Sequence, residues 1–351
     1  AGWPAMSREA VKAALCAPGA PFEMETVTVK GVPTRVWKNA VPTLSVLAQN
    51  TRQFGEREFV IFNDERMTYS AWLRAVTTLG YALQELGVKK GDRVALAMRN
   101  LPEWPVAFFG ATVIGAIVVP LNAWWTSDEL VFGMADSGAK VLICDAERWD
   151  RMSAYQSEMP DLERVLVTRS GGTALAAPAK PLEDVIGNPK TYADLPDRPL
   201  PDVVIEPDDA ATIFYTSGTT GKPKGALGSH RNLLTNGLST AYSGAATALR
   251  RGGPLPEPSI RAGLVVVPMF HVTACSASMI PTIQAGHKIV FMHKWDTLQA
   301  FKIIQHEKIN ATGGVPFIAW QLIEHPDREK YDLSSIDSIS YGGAPSAPEL
   351  V

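Results

Sequence analysis

Residues 210–230 read AATIFYTSGTTGKPKGALGSH, and the interpretation of the whole chain starts from this stretch. The apolar run Ala211–Tyr215 predicts a buried strand, and the loop after it is dense in hydroxyls, glycines and lysines. Glycines let backbone N–H groups face an anion, and hydroxyls and lysines add further donors. The pattern therefore predicts a polyphosphate-binding loop, with a surface hairpin of solvated lysines as the alternative. The candidate phosphate ligands are Thr216, Ser217, Gly218, Thr219, Thr220, Gly221, Lys222 and Lys224.

Other nucleotide-binding and nucleophile motifs do not fit this loop. A P-loop has four residues between its glycines, whereas Gly218 and Gly221 have two between them. Pro223 also argues against a helix that starts at Lys222, so the helix N-terminus of P-loop proteins is not expected here. The serine patterns of amidases and of penicillin-recognising enzymes are missing as well. The loop is therefore interpreted as a phosphate site of a different kind.

On both sides of the loop, apolar strand-like runs alternate with helical patterns. RVALAM at 93–98 and Val141–Asp145 are typical of buried strands, and Tyr69–Leu86 is typical of an amphipathic helix closed by Gly87. Thr126–Glu129 has the pattern of a capping box. This alternation predicts an α/β fold in which mainly parallel sheets are flanked by helices. After the loop, strands are expected near 212–215, 264–267, 288–292, 310–313 and 336–341.

The length of 351 residues fits two packed units, at roughly 150 residues per domain. Residues 1–39 are irregular apart from a short strand pair around Gly31, and we treat them as an N-terminal extension; residues 40–351 form one large domain. Residues 171–207 are rich in proline and charge and show little periodicity. We expect them to form a surface connection with one short helix and no role beyond joining two lobes.

The composition excludes several classes of protein. A hydrophobic fraction of 46% excludes wholesale disorder, and a net charge of −3 gives no general attraction to nucleic acid or anionic lipid. Cys16, Cys144 and Cys275 lie far apart and form no CxxC pair. Neither a disulfide framework nor a zinc site is therefore expected, and a reducing compartment fits.

Two long uncharged stretches, Trp104–Ser127 and Ala262–His287, are long enough to cross a bilayer. Gly115 and Pro120 interrupt the first stretch, and Pro268 and Gln284 interrupt the second. These interruptions favour buried helices and strands, so no transmembrane segment is expected.

Several further segments accompany the phosphate loop: PMFHVTA at 268–274, GGVPFIAWQL at 313–322, SYGGAP at 340–345, and KKGDRVALAMRNLPEWPVAFFGATVIGAIVVPLN at 89–122. Together with YTSGTTGKPKG at 215–225, they resemble the adenylate-forming superfamily of acyl-CoA synthetases, luciferases and adenylation domains. The resemblance covers about residues 40–351 and points most to fatty-acid or acyl-CoA ligases. It implies two α/β lobes, about 66–225 and about 40–65 with 226–351. The site would lie in their crevice at the carboxyl ends of the strands.

The resemblance implies a reaction in two steps. A carboxylate attacks the α-phosphate of ATP to give an acyl-adenylate and pyrophosphate, and the acyl group then passes to CoA. The loop residues would hold the β- and γ-phosphates, Mg²⁺ would bridge them, and Thr216 would be the candidate metal ligand. The protein would supply positioning and charge neutralisation rather than a covalent nucleophile. The residues implied for adenine binding are Gly342, Gly343, Ala344 and Pro345.

The candidate acyl-binding residues are His271, Val315, Pro316 and Trp320, with Phe317 as further apolar lining. Taken alone, a histidine in such an apolar setting is typical of a satisfied core residue. The motif match instead places it at the junction of the acyl and phosphate sites, as a hydrogen-bonding or gating group. No side-chain cation is evident as an anchor, which favours a fatty or aryl acid. Trp124 and Trp125 are interpreted as packing residues.

The sequence stops two residues after Glu349, within what Ser346–Glu349 predicts as the first turn of a helix. We therefore expect a longer parent protein, with the C-terminal domain absent from this chain. By resemblance, the chain lacks a magnesium-binding glutamate motif, a ribose-binding Gly-Asp and the adenylation lysine. Neither Lys222 nor Lys224 is taken as that lysine, no catalytic residue is assigned, and the chain alone is expected to have little or no ligase activity.

The leading interpretation is the N-terminal part of an ATP-dependent fatty acyl-CoA synthetase, located in the cytoplasm. Peripheral attachment to a membrane and a homodimer are both left open, and no nucleic-acid partner is expected. The alternatives are a fatty-acyl-AMP ligase, an aryl-CoA ligase, and a non-catalytic fragment that binds a nucleotide or an acyl group.

Overall fold

The computed structural model describes residues 4–216, 221–255 and 259–345. In chain order the strands are β1 (Met24–Val29), β2 (Val32–Trp37), β3 (Glu58–Phe62), β4 (Glu65–Thr68), β5 (Arg93–Ala97), β6 (Ile117–Pro120), β7 (Val141–Asp145), β8 (Arg164–Thr168), β9 (Ala179–Pro181), β10 (Ala210–Thr216), β11 (Lys224–Ser229), β12 (Ala262–Val265), β13 (Lys288–Phe291), β14 (Ala311–Gly314) and β15 (Ser338–Tyr341).

The α-helices are α1 (Arg8–Leu15), α2 (Leu44–Asn50), α3 (Tyr69–Glu85), α4 (Glu103–Thr112), α5 (Ser127–Ser137), α6 (Ala146–Met152), α7 (Glu183–Ile186), α8 (His230–Arg250), α9 (Val272–Ala274), α10 (Ile280–Ala285), α11 (Thr297–Glu307) and α12 (Pro316–Glu324). A π-helical turn, Cys275–Met279, joins α9 to α10. Short 3₁₀ turns cover Thr51–Phe54, Ser153–Glu158, Tyr192–Asp194 and Arg328–Lys330.

The first sheet has seven strands in the order β11-β10-β6-β5-β7-β8-β9. All neighbouring strands are parallel except β10 and β11, which form an antiparallel pair. Parallel strands covered on both faces read as nearly continuous apolar runs, which is the pattern of VLICD in β7. The sheet therefore confirms the expected α/β class for the first lobe.

The second sheet has six strands in the order β15-β14-β12-β13-β3-β4. Only β3 and β4 pair antiparallel, and Asn63 in the turn between them has a φ of 54°. Because β4 belongs to this sheet, the chain changes sheets after Thr68 rather than at residue 65. It returns to the second sheet after Ser229 rather than at 225, because β11 pairs with β10. Apart from these two changed boundaries, we propose the two lobes with the residues given above.

Helices lie between the sheets and on their outer faces. The largest core cluster joins Phe59 of β3, Trp72 of α3 and Phe109 of α4 to apolar residues of β5, so α3 and α4 are packed between the two sheets. The outer face of the first sheet is covered by α5 and α6, and that of the second by α11 and α12. Burial of this many apolar side chains is the main force that holds the sheets together.

Local sequence signals explain where the helices begin. The Thr126 capping box is confirmed, since its hydroxyl accepts from the Glu129 N–H and the Glu129 carboxylate accepts from the Thr126 N–H. Thr68 caps α3 in the same way, accepting from the Ala71 N–H. These caps fix the register of two helices that cover the first sheet.

Residues 171–207 contain the expected short helix as α7, but the expectation that they only join two lobes at the surface was wrong. β9 extends the edge of the first sheet by pairing with β8, and Leu182, Ile186 and Tyr192 are buried in the main core cluster. A short strand and isolated apolar residues carry too little periodicity to be recognised in a proline-rich stretch. The segment therefore stabilises the lobe that it was expected only to connect.

The N-terminal segment, defined as residues 4–39, is more regular than expected. The predicted strand pair is confirmed as the antiparallel hairpin β1–β2, and α1 precedes it with Ser7 as its N-cap. Val11, Leu15 and Phe22 are buried against α8, so this segment packs on the large domain.

Neither of the two uncharged stretches forms a continuous helix. Within the described residues, no helix combines the length and the apolar run that crossing a bilayer requires.

Candidate functional site

A cavity of about 1390 Å³ lies along the carboxyl edges of the two sheets, the edges at which their parallel strands end. In parallel sheets, ligands bind outside the carboxyl ends of the strands, where loops diverge. The first sheet contributes Arg99 after β5 and Asn122 and Trp124 after β6. The second sheet contributes 266–268 and 270–271 after β12, 293–295 after β13, Val315 after β14 and 342–343 after β15.

The cavity continues between the second sheet and the helices that cover it. Most of the side chains along this part are apolar, which suits a hydrophobic ligand. The wall is formed by the end of the N-terminal segment, by α2, by α8 and by the helical run from α9 to α10. The residues that line it there include Ala40, Val41, Leu47, Phe54, Leu238, Ala241, Ala277, Pro281 and Ile283.

Asn100 connects the two lobes beside the cavity and was not singled out from the sequence. Its buried side chain accepts a hydrogen bond from the Met269 N–H at 2.8 Å and donates one to the Val267 carbonyl at 3.1 Å. Both partners belong to the segment that leads from β12 to His271. Asn100 therefore fixes the path of that segment from the opposite lobe.

Arg99 and Trp124 form a second connection at the cavity. The Arg99 guanidinium lies 5.4 Å from the Trp124 ring centroid and donates to the His293 carbonyl in the second lobe. Burial lowers the pKa of Arg99, and the nearby Arg148 guanidinium adds to this effect. Trp124 also meets Phe270 edge-on, with the ring centroids 5.4 Å apart. Trp124 is 57% exposed and lines the cavity, so it faces the candidate site in addition to packing against Phe270 and Arg99.

A buried arginine explains why Trp124 lies there. Arg148 donates from Nε to the Ala123 carbonyl at 2.8 Å, and its charge is balanced by Asp145 at 3.1 Å. This holds the loop after β6 in place. Trp125, which follows, packs edge-on against Tyr215 and is consistent with a packing role.

His271 is exposed and lines the cavity. It is the N-cap of α9, and its Nδ1 accepts a hydrogen bond from the Thr273 N–H at 3.1 Å. An Nδ1 that accepts assigns the proton of the neutral ring to Nε2, which can then donate to a ligand. The geometry suits a hydrogen-bonding group. Within the described residues, no cluster of histidine, cysteine and acidic side chains is arranged to hold a metal ion.

The phosphate loop joins β10 to β11. β10 runs parallel to β6, so Thr216 ends at the same carboxyl edge from which Asn122 and Trp124 reach the cavity. Thr216 pairs with Lys224 across the hairpin, and its hydroxyl donates to the Lys224 carbonyl at 3.4 Å. Four of the candidate phosphate ligands, Ser217, Gly218, Thr219 and Thr220, lie outside the described residues.

The two loop lysines are exposed. Lys222 Nζ lies 5.5 Å from the Phe132 ring centroid, and neither lysine has a carboxylate partner among the described residues. Gly221 has a φ of 88°, a conformation that favours glycine. The described part of the loop therefore offers two cations that its own lobe does not neutralise. Thr216, Gly221, Lys222 and Lys224 are not among the residues that line the cavity.

The candidate adenine residues follow β15. Gly342 and Gly343 line the cavity, whereas Ala344 and Pro345 are exposed and do not. The Gly342 N–H donates to the Gly314 carbonyl at 3.0 Å, which ties this loop to the end of β14. Small residues here leave the backbone accessible to a flat ligand. Ser346–Glu349, where a helix was predicted to begin, lies outside the described residues.

The candidate acyl residues are not all brought together. Val315 lines the same cavity as His271, whereas Pro316, Phe317 and Trp320 lie on α12 and do not line it. Phe317 is 60% and Trp320 41% exposed. Ile318 of the same helix does line the cavity. Helical spacing explains the difference, because neighbouring positions of a helix point in different directions.

Comparison with known proteins gives a family match. The family model described as AMP-binding enzyme matches residues 47–351. A 4-coumarate-CoA ligase of Narcissus pseudonarcissus is 27% identical over 341 residues, covering 94% of this chain and 57% of the relative. A feruloyl-CoA synthase of Amycolatopsis sp is 30% identical over 284 residues, covering 81% of this chain and 50% of the relative. The chain thus spans about half the length of these curated relatives.

Solved structures share the fold. The N-terminal domain of FACL13 from Mycobacterium tuberculosis superimposes with a TM-score of 0.71 at 25% identity, covering 88% of this chain and 72% of that one. The anthranilate CoA ligase AuaEII, solved with anthranoyl-AMP, superimposes with a TM-score of 0.74 at 21% identity, covering 89% of this chain and 57% of that one.

Proposed function

The chain belongs to the AMP-binding enzyme family, and on this premise we propose that its parent protein activates an apolar carboxylic acid with ATP and transfers the acyl group to CoA. The observation that supports this most is the apolar cavity at the carboxyl edges of both sheets, with the phosphate hairpin leaving the same edge. An acid in the cavity and a triphosphate at the hairpin would be held next to each other.

The chemistry of the first step needs positioning more than a covalent group. The carboxylate oxygen would attack the α-phosphorus, the bond to the bridging oxygen would break, and pyrophosphate would leave. Thr216, the Gly221 N–H, Lys222 and Lys224 are the described donors proposed for the β- and γ-phosphates. Ser217, Gly218, Thr219 and Thr220 complete the proposed set. These donors would balance the charge that builds up on the leaving group.

Magnesium would supply charge neutralisation between the phosphates when it is bound. Mg²⁺ prefers oxygen ligands and keeps several waters and phosphate oxygens, so a complete cage of protein ligands is not required. Thr216 offers a hydroxyl oxygen at the end of β10 and is the proposed protein ligand. The described residues thus fit a metal held mainly through its nucleotide.

The acid would lie in the cavity with its carboxylate towards His271. We propose that Nε2 of His271 donates a hydrogen bond to that carboxylate and that Val315 contacts the acyl chain. Pro316 and Trp320 stay proposed acyl contacts that would need α12 to shift. The proposed adenine residues remain Gly342, Gly343, Ala344 and Pro345.

A fatty acid is the proposed substrate. Pockets for small ligands usually occupy about 300–1,000 Å³, and this cavity is larger, which suits a long acyl chain beside an adenylate. An aryl acid is the second candidate, because the relatives named above are described as ligases of 4-coumarate and ferulate. A carrier protein replacing CoA as the acceptor remains an alternative. The proposed location is the cytoplasm, with a membrane-peripheral form and a homodimer as further proposals.

The test is a panel of fatty and aryl acids assayed with the full-length gene product. Carboxylate-dependent exchange of pyrophosphate into ATP reports the first step, and CoA-dependent release of AMP reports the second. We expect exchange with fatty acids to exceed exchange with aryl acids, and little exchange by the 351-residue chain alone. Exchange without thioester formation would favour an acyl-AMP ligase, and nucleotide binding without exchange would favour a non-catalytic role.

A further inference from the structure

Helix α8 contacts both the N-terminal segment and the cavity, which the segment itself reaches at Asn39. One side of α8 lines the cavity with Gly237, Leu238, Thr240 and Ala241. The adjoining side, which shares Leu238, carries the apolar residues against which the N-terminal segment packs. This second cluster consists of Val11, Leu15, Phe22 and Ala245, with Met6, Cys16, Trp37, Leu238, Tyr242, Ala246 and Leu249 around them. The position of α8 therefore sets the width of the cavity.

Trp37 makes the side-chain hydrogen bond described here between the N-terminal segment and α8, while the Ala5 N–H donates to the Arg250 carbonyl at the end of the same helix at 2.8 Å. Its indole N–H donates to the Ser239 hydroxyl at 3.0 Å, and its ring lies 5.4 Å from the Tyr242 ring. Directly after Trp37, the chain turns into the cavity wall, where Asn39, Ala40 and Val41 lie. Trp37 thus anchors α8 and lies just before a part of the chain that forms the cavity wall.

At Gly237, α8 contacts helix α10. A Cβ at Gly237 would lie 1.8 Å from Oε1 of Gln284 on α10, so the end of the Gln284 side chain lies directly against Gly237. Asn236 donates to the Ser276 carbonyl at 3.2 Å, within the π-helical turn whose Ala277 and Ser278 line the cavity. Contacts with α10 and with the π-helical turn thus hold α8 on one side, and the N-terminal segment holds it on the side of Ala245 and Leu249.

We propose that Trp37 is a positioning residue that determines which acids the cavity accepts, by holding α8 against outward movement. The inference rests on the proposed function and extends it to a segment outside the residues matched by the family model. A weaker anchor would let α8 move outward and widen the cavity. Longer acids would gain more from this than short ones, because only they reach the part of the cavity along α8.

The experiment compares octanoic, dodecanoic and hexadecanoic acids with the full-length gene product. Trp37→Phe removes the indole N–H and keeps a ring, and Ser239→Ala removes the acceptor. The matched control is Ser243→Ala, one turn further along α8, whose hydroxyl donates to the Ser239 carbonyl at 3.0 Å. Calorimetric binding of each acid without ATP is measured beside kcat/KM.

We expect Trp37→Phe and Ser239→Ala each to raise the ratio of kcat/KM for hexadecanoic over octanoic acid about fivefold, the size expected for one hydrogen bond. The change should appear in KM and in the binding constants, the double variant should equal either single one, and Ser243→Ala should match the wild type. A profile that is unchanged, or shifted equally for all acids, overturns the inference. If Trp37→Phe does not fold, Ser239→Ala decides.

Failure of the proposed function gives a different result. A protein that binds the acids with the shifted profile but exchanges no pyrophosphate removes the proposed ligase activity and supports the role of Trp37. A protein that binds none of the acids overturns both.

Discussion

The Asn100 side-chain oxygen accepts a hydrogen bond at 2.8 Å from the Met269 backbone N–H, across the boundary between the two sheets. Asn100 follows β5 of the first sheet, and Met269 lies two residues before His271 in the second. The position of the proposed substrate-binding histidine therefore depends on how the two lobes are joined. A change at Asn100 should affect both stability and acid binding.

Asn100→Ala should lower the free energy of unfolding by about 2–4 kcal/mol, because the Met269 N–H and the Val267 carbonyl would both lose their partner. Urea unfolding of the 351-residue chain measures this loss. Gln49→Ala, an exposed substitution on α2, is the control for removal of a carboxamide. A loss no larger than that of the control would show that water replaces both bonds.

Arg169 is the second inter-lobe contact that a substitution can test. Its guanidinium bonds to Glu103 at 2.9 Å within the first lobe and to Glu65 of β4 at 2.7 Å in the second. Glu103 is buried, and burial raises the pKa of its carboxyl group although Arg169 opposes this. Removing the cation would leave that carboxyl unpaired.

Arg169→Ala should therefore cost about 3–5 kcal/mol of unfolding free energy, the range for breaking a buried ion pair. Arg164→Ala is the control, since Arg164 is exposed at the start of β8, the strand that Arg169 directly follows. The double variant with Glu103→Gln should recover part of the loss, because the buried acid is then uncharged. No recovery would mean that the arginine acts through packing instead.

The sequence predicted the class of fold because apolar runs and caps are local signals. β7 was predicted with its observed ends, and the Thr126 capping box with both its bonds. β9 and the burial of Tyr192 were missed because each depends on a distant partner strand or core. β11 was missed for the same reason, since KGALGS has no strand-like alternation and is extended by pairing with β10.

For the site, the sequence indicated segments better than individual side chains. Segments 268–274, 313–322 and 340–345 all reach the cavity. Asn100 and Trp124 were missed because their roles come from contacts between lobes, which no local pattern encodes. Their position in the sequence could have indicated them. Asn100 and Trp124 both follow the carboxyl end of a predicted strand, where residues at the beginning of a loop lie next to the crevice.

Stability should fall in mild acid because of His230. This histidine is fully buried at the start of α8, and its Nδ1 accepts from the Leu44 N–H at 3.1 Å. Burial lowers the pKa of His230 from 6.5 to about 4, with Asp209 opposing the shift and Lys90 adding to it. The unfolded chain then binds a proton that the folded chain does not, so stability is lost as the pH falls from about 6.5 to about 4.

The expected loss from His230 is about 3 kcal/mol over that range. It is measured by urea unfolding at a series of pH values, in the wild type and in His230→Gln. The difference between the two proteins isolates the histidine from the carboxylates that titrate in the same range. Equal pH dependence in both would assign the loss to those carboxylates.

The two lysines of the phosphate loop should contribute to the binding of ATP. Lys222→Ala and Lys224→Ala should each raise KM for ATP at least about tenfold in the full-length gene product, as expected for loss of a charge-assisted hydrogen bond. Lys89→Ala, an exposed lysine of the first lobe, is the control. An unchanged KM for ATP in either variant would remove that lysine from the proposed phosphate site.

The three cysteines differ in a way that has a practical use. Cys144 and Cys275 are buried, and burial raises the pKa of both thiols, so neither forms the reactive thiolate at neutral pH. Cys16 is only half-buried at the end of α1, beside α8. A maleimide dye should therefore attach to the folded 351-residue chain at Cys16 alone. The fluorescence of this dye would report whether the N-terminal segment stays docked on α8 while an acid binds, and no engineered cysteine would be needed.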